Sequence, residues 1–259
     1  MTKAHVGWPL LLGAGVYVFL YAPLLLVVAY SFNDSRLNAE WTGFTLRWYV
    51  VLAEDAVMQH AAWNSLLIAM VAAISSSVLG TLAAFALYRY RSSVLTTLVI
   101  APIAIPEVLM GVSLLLFFAS INLALGLFTV MLSHITFCIG FVAVIVRSRL
   151  EGLDDSLIDA ARDLGATPLQ AVWHVVLPLI LPGVVAGALL AFTLSMDDFV
   201  VTFFTAGAGQ LTLPIQIYSM IRIAVTPEVN AISSVLMVIT LAASLTAFRV
   251  SRDIWRVHV

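Results

Sequence analysis

An all-α membrane protein with six transmembrane helices is the fold class this sequence predicts, and three observations carry that reading. The chain of 259 residues is 62% hydrophobic and only 10% charged, whereas soluble domains run near a quarter charged. Its apolar residues gather into charge-poor runs close to the ~20 residues that a helix needs to cross a bilayer. Short polar segments between the runs hold the Lys and Arg residues. The size suits one transmembrane domain over 1–259 and leaves no room for a large soluble one. A net charge of −2 names no partner, and no nucleic acid is expected. The single cysteine, Cys138, excludes an intrachain disulfide and a cysteine metal site, and no metal is expected.

The spans fall at about 7–31, 61–87, 94–118, 123–146, 179–200 and 231–248. The first run is too long for a signal-peptide core, so it is expected to stay as a span. Glu107 interrupts the third, and Pro106 should break or kink it. The third and fourth share one long apolar run, split at SINLALG, where Asn122 and Gly126 suit a turn. Ser75, Ser76, Ser77 and Gly80 read as close helix packing. An even number of spans puts both termini on one side. That side carries Lys3, Arg89, Arg91, Arg147, Arg149, Arg162, Arg249, Arg252 and Arg256; the other carries Arg36, Arg47 and Arg222. The bias makes both termini cytoplasmic. The segment PIQIYSMIRI then lies outside as a short surface helix.

One cytoplasmic loop, about 147–178, is charged and helix-patterned: LIDAARDLGATPLQAVWHVVLP. Asp154 or Asp155 can cap a first short helix, and Gly165 can end it. Thr167, Pro168 and Gln170 form a capping box for a second, and LPLILP punctuates the entry into span five. Helix, glycine hinge, helix fits either a docking element or a plain connecting hairpin. Lys3 is the only lysine, so the phosphate-binding loop, which needs Gly-Lys-Ser/Thr, is missing. Any ATPase that powers this chain must be a separate subunit.

The same loop carries a resemblance. Asp159-Ala160-Ala161, Gly165 and the close at Val175-Val176-Leu177-Pro178 resemble the loop signature of permease subunits in binding-protein-dependent ABC importers. That signature is Glu-Ala-Ala, three residues, Gly, nine residues, Ile-x-Leu-Pro; Asp and Val here replace its Glu and Ile. YSFN, GFTLRWY, ALYRYR, SHITFC, AFTLSMDD and PEVNA are similar to the spermidine/putrescine permeases, in particular their C-type subunit. The resemblance implies the type I ABC importer permease fold in a bacterial inner membrane. It implies a sister permease, an ATPase dimer that carries the ATP and Mg, and an extracytoplasmic substrate-binding protein. It also implies that Asp159, Ala160, Ala161, Arg162, Gly165 and Pro178 couple to the ATPase. No cofactor is expected in this chain, and no enzyme activity.

Intramembrane carboxylates are costly and mark function by default. Glu107, Asp197 and Asp198 stand in the spans, and no Lys or Arg does. An acidic path without basic partners suits a cationic solute, and the resemblance makes that solute a polyamine. Glu107 can instead serve the N-terminus of the restarted helix, and the aspartates can cap or sit in the interface. Neighbouring helix positions point ~100° apart, so one aspartate is expected to face substrate while the other bonds to backbone or to a partner. Ser195 can bond an ammonium or its own helix. Trp48 can meet a cation through its ring or join an interface belt. His134 and His174 are expected to pack or hydrogen-bond. The alternatives are an ABC permease for another cationic solute or ferric ion, and a secondary cation transporter using Glu107 or Asp197. The second leaves the loop signature unexplained and would show more spans.

Overall fold

A computed structural model describes residues 7–35, 40–154, 156–223 and 226–257, all α-helix and loop apart from one isolated bridge. Lys3, Arg36 and Asp155 lie outside the described residues. The chain forms two compact units, Met1–Gln59 with Gln216–Ile239, and His60–Ile215 with Thr240–Val259.

In the first unit, α1 (Gly7–Tyr30) is a full-length span whose apolar window is entirely unburied within the chain. A clasp follows it. Asn33 is fully buried; its Nδ2 donates to the Glu40 carbonyl at 2.8 Å, and its Oδ1 accepts from the Thr42 N–H at 3.0 Å. Asn33 and Phe44 form the bridge, and Phe32 stacks on Phe44 at 5.2 Å. Then α2 (Arg47–Glu54) returns Trp48 and Tyr49 to the clasp. The Trp48 Nε1–H donates to the Asn33 carbonyl at 2.7 Å, and the Tyr49 hydroxyl bonds to Ser31 at 2.7 Å. YSFN and GFTLRWY, noted separately in the sequence, are thus two halves of one local structure. Asp55 next accepts from the N–H groups of Val57 and Met58. That cap starts α3 (Ala56–Tyr90) before the expected residue 61.

In the second unit, α4 (Ser93–Ala104) and α5 (Glu107–Ser120) replace the expected third span. The pair is bent by 108° at a break of two residues, Ile105 and Pro106. The cause is local: proline forces its predecessor out of the helical region, and Ile105 is extended at φ −79°, ψ 131°. Pro106 also lacks the N–H that would continue the ladder. Asn122, at φ 54°, turns the chain where expected. It leads into α6 (Leu127–Glu151), the most buried span, which packs on α4 and α9.

Small residues permit that packing. A Cβ added at Gly80 would lie 2.7 Å from the Val142 side chain, and one at Gly187 would lie 3.2 Å from it. The expected close approach at Gly80 is present, and Ser76 and Ser77 are buried beside it, bonded back to Ala73.

The charged loop follows. Asp154 accepts the Ser156 N–H at 2.9 Å to start α7 (Ser156–Asp163). Gly165 leaves the helix at φ +89°, and Thr167 and Gln170 form the capping box of α8 (Pro168–Ala171). The second short helix differs from expectation because it never ends. A wide π turn, Val172–Val176, runs straight into α9 (Leu177–Asp197) and makes one 30-residue helix, Pro168–Asp197. Pro178 would clash with the carbonyl four residues back in an α-helix; the π turn loosens the backbone there, and the Leu177 N–H reaches the Val172 carbonyl instead.

After α9 the chain is extended at Asp198, then forms α10 (Val200–Thr205) and the expected surface helix, α11 (Leu213–Ile223). The Leu213 N–H donates to Ser65 Oγ at 2.8 Å, and Asn64 Nδ2 donates to the Leu211 carbonyl at 2.9 Å, pinning the start of α11 to α3. Helix α12 (Pro227–Val257) carries a short apolar part, Pro227–Ala242. The expectation of six like crossings therefore resolves into four full-length apolar helices, one bent pair and one shorter apolar helix.

Candidate functional site: a carboxylate-lined cavity at two helix breaks

The second unit brings its two backbone breaks together. Between the α4–α5 break and the α9–α10 break lies a cavity of about 340 Å³. Glu107, in the first turn of α5, and Asp197 and Asp198, at the end of α9, line it. Phe137, Phe141 and Phe199 supply aromatic surface, and Ile103, Met110, Leu194 and Val201 supply aliphatic surface. No Lys, Arg or His is in its lining. Discontinuous helices are how membrane transporters present polar groups inside a bilayer, and α10 seats closely on α5. A Cβ at Gly111 would lie 2.6 Å from the Phe204 ring.

The adjacent aspartates have opposite surroundings. Asp197 is exposed and lies within electrostatic reach of Glu107, which is also exposed. The Asp198 side chain is 6% exposed and bonds to the protein itself. Its Oδ2 accepts from the Thr202 N–H and the Thr202 hydroxyl, both at 2.8 Å, and its Oδ1 accepts from the Val201 N–H at 3.3 Å. It therefore caps α10. His134 Nε2 stands 3.3 Å from the same Oδ2 and 2.9 Å from the Thr202 hydroxyl, while His134 Nδ1 lies 2.6 Å from Ser195 Oγ. The two neighbours thus diverge: Asp197 is exposed at the cavity, while the Asp198 carboxylate, also in the cavity wall, is bonded into the protein.

Two further candidates are placed otherwise than expected. Ser195 is buried and bonded to His134 rather than turned to the cavity. Trp48 is also buried, 5% exposed, in the Asn33 clasp of the first unit, with the Arg47 guanidinium 5.6 Å from its ring centroid. Its ring is enclosed by the clasp rather than open to solvent. His134 and Thr202 form the network that sequence reasoning did not assemble. Its only trace was a histidine and a threonine standing in apolar runs, where polar side chains need partners.

On the charged loop, Asp159, Ala160 and Arg162 are exposed on α7. Asp159, Arg162, Gly165 and Pro168 border a shallow surface depression. Ala161 is half-buried, and Pro178 is exposed within the continuous helix. Leu164 is 90% and Trp173 60% exposed beside them.

Comparison with known proteins agrees with this architecture. The putrescine transport system permease protein PotI of Escherichia coli (strain K12) is 44% identical over 238 residues, covering 88% of this chain and 84% of that protein. The spermidine/putrescine transport system permease protein PotC of the same strain is 40% identical over 241 residues, covering 92% and 91%. In fold the chain matches a bacterial ABC transporter involved in the import of the acidic polysaccharide alginate, with a TM-score of 0.73 at 17% identity over 95% of this chain and 94% of that one. It also matches the inward-facing MetNI methionine ABC transporter, with a TM-score of 0.66 at 24% identity over 78% and 99%. Residues 76–258 match the family described as binding-protein-dependent transport system inner membrane component. A bent-helix core, a charged loop without a phosphate-binding motif and this match together place the chain in that family, as an inner-membrane permease of the type I ABC importer fold.

Proposed function

We propose that this permease forms one half of the path of an ATP-driven polyamine importer, spermidine or putrescine being the cargo. The observation that carries the reading is the cavity: carboxylates with no basic side chain in the wall, interleaved with phenylalanine and aliphatic surface. A polyamine alternates ammonium groups with methylene runs. Ammonium groups suit Glu107 and Asp197, methylenes suit the apolar wall, and phenylalanine faces attract cations by ~0.5–2 kcal/mol each. The similarity to putrescine and spermidine/putrescine permeases supports the same class.

In this scheme both termini are cytoplasmic, and a binding protein delivers the cation from outside. A sister permease completes the path, and the loop around Asp159, Ala160, Ala161, Arg162 and Gly165 docks on an ATPase dimer that holds ATP and Mg. The test is uptake by the complete importer, purified with its partner subunits in proteoliposomes. Polyamine-loaded binding protein should stimulate ATP hydrolysis and labelled polyamine should accumulate. Stimulation by another solute but not by polyamines would overturn the substrate, and uptake without ATP would overturn the energy source.

A further inference from the structure

The buried cluster of His134, Ser195 and Thr202 carries an assignment beyond the cavity itself. His134 and Thr202 are 1% exposed and Ser195 is 4% exposed. Buried polar side chains at such depth are stable only when their hydrogen bonds are made, and here they form a continuous chain across α6, α9 and α10. The hydrogen positions follow from donor and acceptor capacity. The Thr202 hydroxyl donates to Asp198 Oδ2, so its oxygen accepts from His134 Nε2, which must carry a hydrogen. The Nδ1–Ser195 bond then runs either way according to the charge on the ring. In both charge states Nε2–H points at the Thr202–Asp198 pair.

The Thr202 N–H and hydroxyl therefore converge on Asp198 Oδ2, the Val201 N–H holds Oδ1, and His134 Nε2, 3.3 Å from Oδ2, fixes the Thr202 hydroxyl, so that the plane of the carboxylate is set. Asp198 is the extended residue that interrupts the helix, at φ −66°, ψ 121°, and the residue before it is Asp197, which faces the cavity. A cap that could rotate would let the break slide and carry Asp197 with it. We propose that His134 is a positioning residue of the transport path, acting through Thr202 and Asp198 to hold the α9–α10 break where Asp197 faces the cavity. This assignment rests on the polyamine reading for its substrate, but not for its geometry.

Two measurements on the complete importer in proteoliposomes test it. In uptake, His134→Leu should raise the KM for polyamine about tenfold with the maximal rate per assembled complex nearly kept, and His134→Gln, which retains an N–H donor, should recover most of the loss. The loss should largely vanish in an Asp197→Asn background, since groups acting as one unit are non-additive. A fall in maximal rate alone, no rescue by Gln, or full additivity with Asp197→Asn would overturn positioning.

The second measurement needs no substrate. Asp197→Cys in a Cys138→Ala background should react with a cationic thiol reagent, and adding His134→Leu should slow that reaction about threefold or more. An unchanged rate overturns the proposal. If His134→Leu does not assemble, Thr202→Val, which removes the connecting hydroxyl, takes its place with the same expectations. A wild-type importer that ignores polyamines, together with a slowed thiol reaction when His134→Leu is added to Asp197→Cys, would overturn the substrate and keep the positioning role.

Discussion

At the scale of single residues, adjacent aspartates should fail in different ways. Asp197→Asn and Glu107→Gln each remove one cavity-facing charge, and each should lower polyamine uptake about tenfold while the assembled complex keeps its melting temperature. Asp198→Ala should instead cost about 2 kcal/mol, because it removes the cap of α10 and strands His134 and Thr202; thermal unfolding in detergent is the readout. Asp198→Asn, which keeps one acceptor oxygen, should be milder. The sequence showed that three carboxylates stand in apolar helices, and geometry on a helix showed that neighbours must diverge. Which aspartate turned inward was not legible, because the deciding partners, His134 and Thr202, lie 64 and 4 residues away from Asp198 by number. The burial of Trp48 was not legible for a related reason. Its partner is a backbone carbonyl, that of Asn33, and a carbonyl leaves no mark in composition.

At the scale of elements, the loop was the most legible part because its signals are local. The Asp154 cap, the Gly165 exit and the Thr167–Gln170 box are all short-range side-chain and backbone rules, and all are present. The Ser156 N–H holds the Asp154 carboxyl below its usual range. A lowered folded value means that the cap contributes at neutral pH and is lost as pH falls through that value. Helix α7 should therefore fray below about pH 4, seen as falling amide protection at its first turn, and Asp154→Asn should remove that dependence.

Gly165→Val places a β-branched residue at φ +89°, a strain of about 1–3 kcal/mol. ATP hydrolysis by the complex should then proceed with reduced polyamine transport, and coupling retained at the wild-type ratio would argue against the hinge. Gly111→Leu should act as overpacking against Phe204, costing about 1–3 kcal/mol and separating α10 from α5. The breaks themselves were half legible. Pro106 announced an interruption but not its 108° angle, which depends on what α4 and α5 pack against.

At the scale of the whole molecule, the fold class was legible because hydrophobicity alone separates spans from loops, while the bend within an apolar run was not. A run of 25 apolar residues looks the same whether it crosses or doubles back. No residue in the apolar window of α1 is buried, and Leu164 and Trp173 stand open on the charged loop. Leu164→Glu should weaken co-purification of the ATPase while leaving the permease in the membrane, and an unchanged subunit ratio would place the ATPase contact elsewhere.

The π turn at Val172–Val176 has a mechanical consequence. It makes Pro168–Asp197 a single connecting rod of ~45 Å, with the loop at one end and the cavity carboxylates at the other. A rod transmits torque as well as thrust, so a push on the loop is also a twist at Asp197. Deleting Val175 would tighten the wide turn to an ordinary one and rotate the far end by ~100°. The angle between the charged loop and Asp197 is thus set by one surplus residue in a helix.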